Sequence, residues 1–316
     1  ESESRGLGDV YKRQHLTNIQ KANIYMSQFV GKTAVISGGA EGIGLSIAKA
    51  LGEQKMNIVL ADIDQENLEK ASQELKRAGV AVLAITLDVA DEAQWHIVAE
   101  QAIARFSKIH MVVNNAGIGG DTGPIEKAQT KGWQWALDVN LMGVMYGAKV
   151  MVPWIKQHGE GGWIVNVASM AGMGGIPYNG AYTATKTAVV ALSESWASEL
   201  QRKDIKVSVL CPAFVQTRIY DSDRNRPPQY QIDKANTTDE ASFLNRTKAM
   251  VENGIDVSIV GQRVVEALND GELYIFTHPN YRAAVQQRFD AIDAAFERAA
   301  QSPLLQHIAN QKLDIL

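Results

Sequence analysis

Residues Thr33–Gly44, which read TAVISGGAEGIG, are the most informative stretch of the chain for predicting its fold. The first five are apolar or β-branched and predict a buried strand; the glycine-rich turn that follows opens into Leu45-Ser46-Ile47-Ala48, which predicts a helix. Glycines in such a strand–turn–helix unit let backbone N–H groups approach a pyrophosphate, whose negative charge the helix N-terminus favours. The stretch therefore predicts a dinucleotide-binding site, with a tight turn that binds nothing as the alternative.

Six further short apolar runs follow, separated by longer amphipathic segments, and this alternation predicts βαβ units with a parallel sheet. The seven predicted strands are residues 33–37, 57–61, 81–86, 110–114, 163–168, 206–210 and 273–276, and helices are predicted from about Gly42, Gln65, Glu92, Thr130 and Ala181. We therefore expect an α/β protein with one doubly wound parallel sheet of the Rossmann type.

The chain divides into three predicted parts. Residues 1–25 have no hydrophobic periodicity and are expected to be a non-native leader before Met26, and residues 26–278 are expected to form the sheet domain. Within that domain, residues 218–253 are rich in charges, amides and proline; they predict a substrate lid, with a solvated loop as the alternative and a helix resuming at Ala241. Residues 279–316 predict a C-terminal helical extension.

That extension carries an apolar stripe. Val285, Phe289, Ile292 and Phe296 share one face of the predicted helix. Such a stripe must be covered, and core or subunit packing explains it better than a ligand site.

Composition excludes several functional classes. The chain has 316 residues, 46% of them hydrophobic, and a formal net charge of -4, which offers no basic field for nucleic acid. No apolar run approaches the roughly 20 residues needed to cross a bilayer. The single cysteine, Cys211, is expected to be buried and fits a reducing compartment, so we expect a cytoplasmic protein. The six histidines lack metal-ligand spacing, and we expect no metal site.

Asp62 ends the second predicted strand, 24 residues beyond Gly38, where a carboxylate can accept hydrogen bonds from the adenosine ribose hydroxyls. The alternative is a helix N-terminal charge before Asp64. Because this carboxylate would repel the extra phosphate of NADP, and because Glu41 rather than a basic residue occupies the adjoining turn, the sequence predicts NAD as the cofactor.

Further motifs resemble the short-chain dehydrogenase/reductase superfamily. The spacing Ser-Gly-x-x-x-Gly-x-Gly from Ser37 is followed by Asn114-Asn115-Ala116-Gly117, and the resemblance covers about residues 32–217. The superfamily's Asn-Ser-Tyr-Lys tetrad is matched by Asn140 in DVNLMG, Ser169 in VNVASMAG, and Tyr182 and Lys186 in YTATK.

The resemblance implies an enzyme in which these four residues are catalytic. It also implies a homodimer or homotetramer, formed through the long helices predicted around residues 130–157 and 181–201. The residues expected at the cofactor are Ser37, Gly38, Glu41, Gly42, Ile43, Gly44, Asp62, Asp88, Val89, Asn115, Ala116, Gly117, Tyr182, Lys186, Pro212, Val215 and Thr217.

One departure from the superfamily pattern follows the sixth strand, where Pro212-Ala213 replaces the usual Pro-Gly. Alanine resists backbone conformations that glycine permits, which leaves the shape of the turn over the nicotinamide open. Ser37 replaces the usual threonine and keeps its hydroxyl.

The tetrad chemistry follows from the side chains. Tyr182 and Lys186 are four residues apart on a predicted helix and project from one face. A nearby ammonium, together with oxidised nicotinamide, favours the phenolate of a tyrosine whose reference pKa is about 10, so Tyr182 can act as a general base. The resemblance implies that Ser169 holds the substrate oxygen and that Asn140 holds a water that links Lys186 to solvent, roles that suit a hydroxyl and an amide. Taken singly, these residues would more often be packing or turn residues.

The predicted substrate is a neutral, partly hydrophobic secondary alcohol or ketone. Residues 170–177 are apolar and uncharged, and Met170, Met173 and Phe214 are expected to line its pocket. The lid arginines Arg218, Arg224 and Arg226 are either solvated or bind a substrate carboxylate. An NADPH-preferring carbonyl reductase is the alternative enzyme, and a non-catalytic NAD-binding scaffold the alternative from another class.

Overall fold

The computed structural model describes residues 28–232, 238–309 and 311, so the predicted leader lies outside the described residues. Seven parallel strands form one sheet in the order β3-β2-β1-β4-β5-β6-β7. They are β1 Thr33–Ser37, β2 Asn57–Asp62, β3 Val82–Thr86, β4 Met111–Asn114, β5 Gly162–Val167, β6 Ile205–Cys211 and β7 Tyr274–Phe276. The predicted fold class, an α/β doubly wound parallel sheet, is confirmed.

Helices connect the strands. Among the described residues, eight belong to the sheet unit: α1 Gly42–Glu53, α2 Gln65–Arg77, α3 Glu92–Phe106, α4 Thr130–Leu137, α5 Gly143–Gln157, α6 Gly180–Leu200, α7 Thr238–Glu252 and α8 Val257–Asp270. Four of the five predicted helix starts match the structure, and the fifth helix begins at Gly180, one residue before the predicted Ala181. The segment predicted as one long helix is interrupted by a π-helical turn at Asp138–Met142, between α4 and α5.

The core has two apolar layers because successive strand residues point to opposite faces of the sheet. Ile36 and Leu60 pack on one face with Ile47 of α1, and Val35 and Val112 pack on the other face with α3 and α5. Both faces of the central strands are therefore buried, as expected for a parallel sheet covered by helices on both sides.

Strand order reverses between β1 and β4, since the chain leads from β1 to β2 and β3 on one side and from β4 to β7 on the other. In open α/β sheets, ligands bind at the carboxyl ends of the strands at such a switch point. The turn after β1 therefore lies where the topology opens a crevice.

The predicted lid follows β6. It contains two 3-10 turns, Ile219–Asn225 and Pro228–Tyr230, and then α7, which begins at Thr238 rather than at the predicted Ala241. Val215 before the lid pairs in parallel with Ile255 after it, so both ends of the lid are tied together at its base.

Residues His278–Leu316 form a separate unit. Its main element is the helix α9, Arg282–Ala300. Among the described residues, no helix is long and apolar enough to span a membrane.

Candidate active site

A cavity lies at the carboxyl ends of the central strands. Its wall contains most of the residues expected at the cofactor and three of the four expected to be catalytic. These are Gly38, Glu41, Gly42, Ile43, Asp62, Asp88, Val89, Asn115, Ala116, Gly117, Ser169, Tyr182, Lys186, Pro212, Val215 and Thr217.

Ser37 lies behind this wall and shapes it. Its Oγ accepts hydrogen bonds from the backbone N–H groups of Asn115 (3.0 Å) and Ala116 (3.2 Å). The Ser37 side chain is buried, so the structure gives it a supporting position between β1 and the loop after β4. Gly44 is also outside the wall, and a Cβ there would collide with the carbonyl oxygen of Gly38.

The glycine-rich turn leaves a cradle that side chains would fill. Gly38 has φ +61°, and a Cβ at this position would lie 2.8 Å from the Cα of Ala116. At the start of α1, Glu41 makes no side-chain cap, and the first turn carries no acidic residue. Uncapped N–H groups at a helix N-terminus attract an anion, so this end of the cavity fits a pyrophosphate.

Asp62 stands at the end of β2 in the same wall. Its Oδ2 accepts from the N–H of Ala40 at 3.0 Å, and its Oδ1 accepts from the N–H of Asp64 at 3.0 Å. Burial raises the pKa of the Asp62 carboxyl, while both backbone hydrogen bonds oppose that shift. A carboxylate has about four lone-pair directions, so two remain to accept from ribose hydroxyls. The residues at this end of the cavity therefore fit a dinucleotide.

Tyr182 and Ser169 meet at the other end of the cavity. Burial raises the pKa of the Tyr182 hydroxyl, and a hydrogen bond from Ser169 acts in the opposite direction. Ser169 is held in place because its Oγ accepts from the N–H of Ala171 at 3.1 Å. Two hydroxyl groups thus converge on the space where a substrate oxygen would bind.

Lys186 lies one turn further along α6. Its Nζ donates to the carbonyl oxygen of Val167 at 2.8 Å and lies 5.7 Å from the centroid of the Tyr182 ring. Burial lowers the pKa of Lys186 to about 8. Cys211 beneath this site is buried, as expected, and burial raises its pKa to about 12, so the thiol is neutral.

Asn140 occupies the π-helical turn and is fully buried behind the cavity. Its Oδ1 accepts from the N–H of Ile118 at 2.8 Å, and its Nδ2 donates to the carbonyl oxygen of Ile118 at 3.0 Å. A Cβ on Gly117 would lie 3.2 Å from Asn140 Oδ1 and 3.4 Å from Lys186 Nζ, so both side chains adjoin this glycine. Single π-turns within helices are frequent at functional sites.

The substrate end of the cavity has a wall that sequence reasoning missed. Aromatic and apolar side chains from α4, the loop after β4 and the lid supply it, whereas Met170, Met173 and Phe214 are not among the described residues in the wall. Met170 and Met173 were predicted in the wall because they follow Ser169 closely in sequence. The observed wall instead consists of segments that are far apart in sequence. The missed residues include Ile118, Trp135, Val139, Ile219, Pro227, Tyr230 and Val251.

The lid arginines are already paired. Arg226 is buried, forms ion pairs with Asp121 and Asp223, and lies over Trp135, so the expectation of a solvated side chain is wrong for this residue. Arg218 and Arg224 both form ion pairs with Glu41 of the glycine-rich turn. These contacts connect the lid to the cofactor end of the cavity.

Ala213 does not require a glycine conformation. The non-glycine residues with positive φ among those described are Lys55, Ser107, Tyr178 and Asp204. Ala213 therefore replaces the superfamily's glycine without strain from the left-handed region.

A histidine pair lies at the other end of the sheet, near the start of β4. The rings of His110 and His158 have centroids 4.5 Å apart, and Glu160 lies beside them, a grouping that the spacing in sequence did not suggest. Each Nδ1 accepts from a backbone N–H, that of Thr33 for His110 and that of Glu160 for His158. Each Nε2 is bonded to oxygen as well, so the ring nitrogens are engaged in hydrogen bonds that metal coordination would have to displace.

A doubly wound sheet with a dinucleotide cradle at its switch point is an architecture that nicotinamide-dependent oxidoreductases use. A family model described as short chain dehydrogenase matches residues 32–227. The chain therefore belongs to the short-chain dehydrogenase/reductase superfamily. It is an enzyme of this class, whose members bind a nicotinamide cofactor and act on CH–OH groups.

One relative and one solved structure extend the match beyond that region. The CLA biosynthesis dehydrogenase/reductase of Lactiplantibacillus plantarum is 35% identical over 272 residues, covering 84% of this chain and 95% of that protein. The 3-alpha-(or 20-beta)-hydroxysteroid dehydrogenase of Mycobacterium bovis is 38% identical over 194 residues, covering 61% of this chain and 73% of that protein. The crystal structure of a short chain dehydrogenase/reductase from Burkholderia phymatum in complex with NAD has 33% identity and a TM-score of 0.81, covering 91% of this chain and 99% of that one.

Proposed function

We propose that this enzyme interconverts a secondary alcohol and a ketone with NAD as the hydride acceptor. The observation that carries the proposal is that Ser169, Tyr182 and Lys186 share one cavity wall with the glycine-rich cradle, with Lys186 one helical turn from Tyr182. A bound nicotinamide ring supplies the hydride acceptor or donor.

The side chains would handle the proton. Tyr182 takes the hydroxyl proton of the alcohol during oxidation and returns a proton to the oxygen during reduction. Ser169 donates a hydrogen bond to the substrate oxygen and stabilises the charge that develops there. Because burial raises the pKa of Tyr182, the phenolate needs positive charge nearby, and the Lys186 ammonium supplies it.

Asn140 has a positioning role in this proposal. Its two hydrogen bonds to Ile118 hold the loop after β4 against the π-helical turn. This keeps Gly117 between Asn140 and Lys186, where a bridging water would link the lysine to solvent.

Asp62 supports NAD over NADP. Its carboxylate lies in the cavity wall and would repel a phosphate on the ribose. The NADPH-preferring alternative gains one argument from the structure, since Arg218 and Arg224 lie close to the cofactor end. Both are engaged by Glu41, however, which lowers their capacity to bind a phosphate.

A neutral, partly hydrophobic substrate fits the wall. Trp135, Tyr230 and Ile118 offer apolar surface next to Tyr182 and Ser169, and the buried lid arginine is neutralised by two carboxylates. The name of the mycobacterial relative describes oxidation of hydroxysteroids, which are bulky alicyclic alcohols.

The decisive experiment measures NADH formation from cyclic, aromatic and aliphatic secondary alcohols. It compares the wild type with Tyr182→Phe and with Tyr178→Phe, a control that removes an exposed hydroxyl from the loop before α6. We expect turnover with NAD that falls at least about a hundredfold in Tyr182→Phe only. Equal turnover in all three proteins would exclude Tyr182 as the acid–base group. Cofactor binding without turnover on any alcohol or ketone would favour the scaffold alternative.

The proposal includes a homodimer or homotetramer and a cytoplasmic location. The long helices α5 and α6 present the surfaces that the superfamily uses for association, and light scattering after size-exclusion chromatography measures the number of subunits.

A further inference from the structure

The helix α9 has an apolar stripe with the geometry of a coiled-coil seam. Val285, Phe289, Ile292 and Phe296 are spaced by four, three and four residues, so at 100° per residue they fall within an arc of about 60°. Phe289 is 49% exposed and Phe296 is 72% exposed. A stripe this narrow matches positions a and d of a heptad repeat rather than the broader face of a helix that covers a globular core.

The helix also lacks the packing that normally stabilises one. Within the part of the chain that the structure describes, α9 contains no fully buried residue; Val285 is partly buried, and the other three residues of the stripe are exposed. Isolated helices of this size are only marginally stable in water, and tertiary packing of an apolar face supplies most of their stability. The stripe therefore needs a partner surface.

Charged residues on the flanks indicate which partner fits. With Phe289 and Phe296 at positions a, Arg288 takes position g and Asp293 takes position e. Among the described residues neither one forms an ion pair within the chain. In a parallel, in-register pair of helices, g of one helix faces the e position five residues later in the other, which sets Arg288 against Asp293 of a second copy, twice. An antiparallel pair instead sets g against g and e against e, which leaves like charges together.

We propose that α9 pairs with α9 of a second copy of this chain as a short parallel coiled coil. Val285 and Ile292 occupy the d positions, the two phenylalanines occupy the a positions, and two Arg288–Asp293 pairs set the direction and register. This contact is independent of the proposed chemistry and adds to any contact that α5 and α6 make.

Disulfide cross-linking of the full-length protein tests the pairing, and the chain suits it because its one native cysteine, Cys211, is buried. In a parallel pair, two Val285→Cys side chains face each other within the range that a disulfide spans. We expect a covalent dimer from Val285→Cys under mild oxidation and none from Gln287→Cys, which lies on the opposite face of the helix. Equal linking of both variants, or none in either, would overturn the proposal.

The direction and register have their own tests. If a covalent dimer forms only when Val285→Cys and Phe296→Cys proteins are mixed, the helices are antiparallel and the proposal is wrong. In the Val285→Cys background, Arg288→Glu should slow linking about fivefold because both ion pairs become repulsive, and adding Asp293→Arg should restore the rate to within about twofold. Unchanged linking rates in both variants would show that the Arg288–Asp293 ion pairs do not set the direction and register of the pairing.

Discussion

The guanidinium carbon of Arg226 lies 4.2 Å from the centroid of the Trp135 ring, with 2% of the side chain exposed. A charge removed from water to this extent requires compensation, and Asp121 and Asp223 supply it. The contact joins the lid to α4 and to the loop after β4, both of which contribute to the substrate end of the cavity. Arg226 therefore holds segments of that wall in position but is not among the described residues that line the cavity.

Replacing Arg226 with methionine should loosen the lid. We expect the KM for the alcohol to rise about tenfold while kcat changes less than about threefold, because the wall shifts and the Ser169–Tyr182 pair remains. Unfolding free energy should fall by about 2 kcal/mol, since the Asp121 carboxylate loses its partner. Steady-state kinetics beside Arg202→Met, an exposed arginine after α6, checks this; a loss confined to kcat would contradict it.

The sequence predicted what depends on local spacing and could not predict what depends on distant contacts. The strand–turn–helix unit at β1 is encoded within a few consecutive residues, so the fold and the cofactor end of the cavity could be predicted from the sequence. Arg226 pairs with Asp121 across 105 positions, a relation no local pattern contains. Likewise, Met170 was expected in the wall because it follows Ser169, whereas the chain brings Trp135 and Tyr230 there from separate segments.

Ala213 should tolerate glycine but gain nothing from it. Its backbone is outside the left-handed region, so Ala213→Gly relieves no strain and adds conformational freedom to the unfolded chain. We expect a loss of about 0.5–1 kcal/mol in unfolding free energy and a Kd for NAD within about twofold of the wild type. Tighter cofactor binding in the glycine variant would show that alanine distorts the turn.

The buried His110 should make stability depend on acid. Burial lowers its pKa below the ordinary 6.5, so the unfolded chain binds a proton that the folded chain does not. The contribution of neutral His110 is complete above pH 6.5 and declines as the pH falls below that value. Urea unfolding at a series of pH values measures the decline.

Two comparisons isolate this effect. His110→Gln should flatten the pH dependence just below pH 6.5, whereas His96→Gln, on the exposed face of α3, should leave it intact. Glu160 acts in a separate range, since Lys108 and His110 lower its pKa from 4.5 to about 2. Its contribution is present above pH 4.5 and is lost as the pH falls toward 2. A His110→Gln profile that matches the wild type would assign the acid sensitivity to other groups.

Lys186 should set the pH at which alcohol oxidation begins. Its ammonium lies 5.7 Å from the Tyr182 ring centroid, while burial raises the pKa of Tyr182. Lys186→Met removes the positive charge, so the acid limb of kcat/KM should move to higher pH and kcat should fall about a hundredfold or more. Rates from about pH 6 to about pH 10 test the shift. An acid limb at the same pH in both proteins would mean that Lys186 does not stabilise the phenolate.

Asp62 should control the choice between NAD and NADP. Asp62→Asn keeps the shape of the side chain but removes the charge, so NAD should lose about tenfold in affinity as the ribose hydrogen bonds weaken, and NADP should gain at least as much. Glu41→Gln addresses the other half of the site, because it releases Arg218 and Arg224 from their ion pairs. The double variant should then bind NADP more tightly than either single variant, since two cations become available to the phosphate that Asp62 no longer repels. Isothermal titration of each protein with both cofactors measures these affinities. An unchanged ratio of NAD affinity to NADP affinity in Asp62→Asn would assign the preference to another residue. If Glu41→Gln changed the affinity for both cofactors equally, the arginines would hold the lid in place without approaching the ribose.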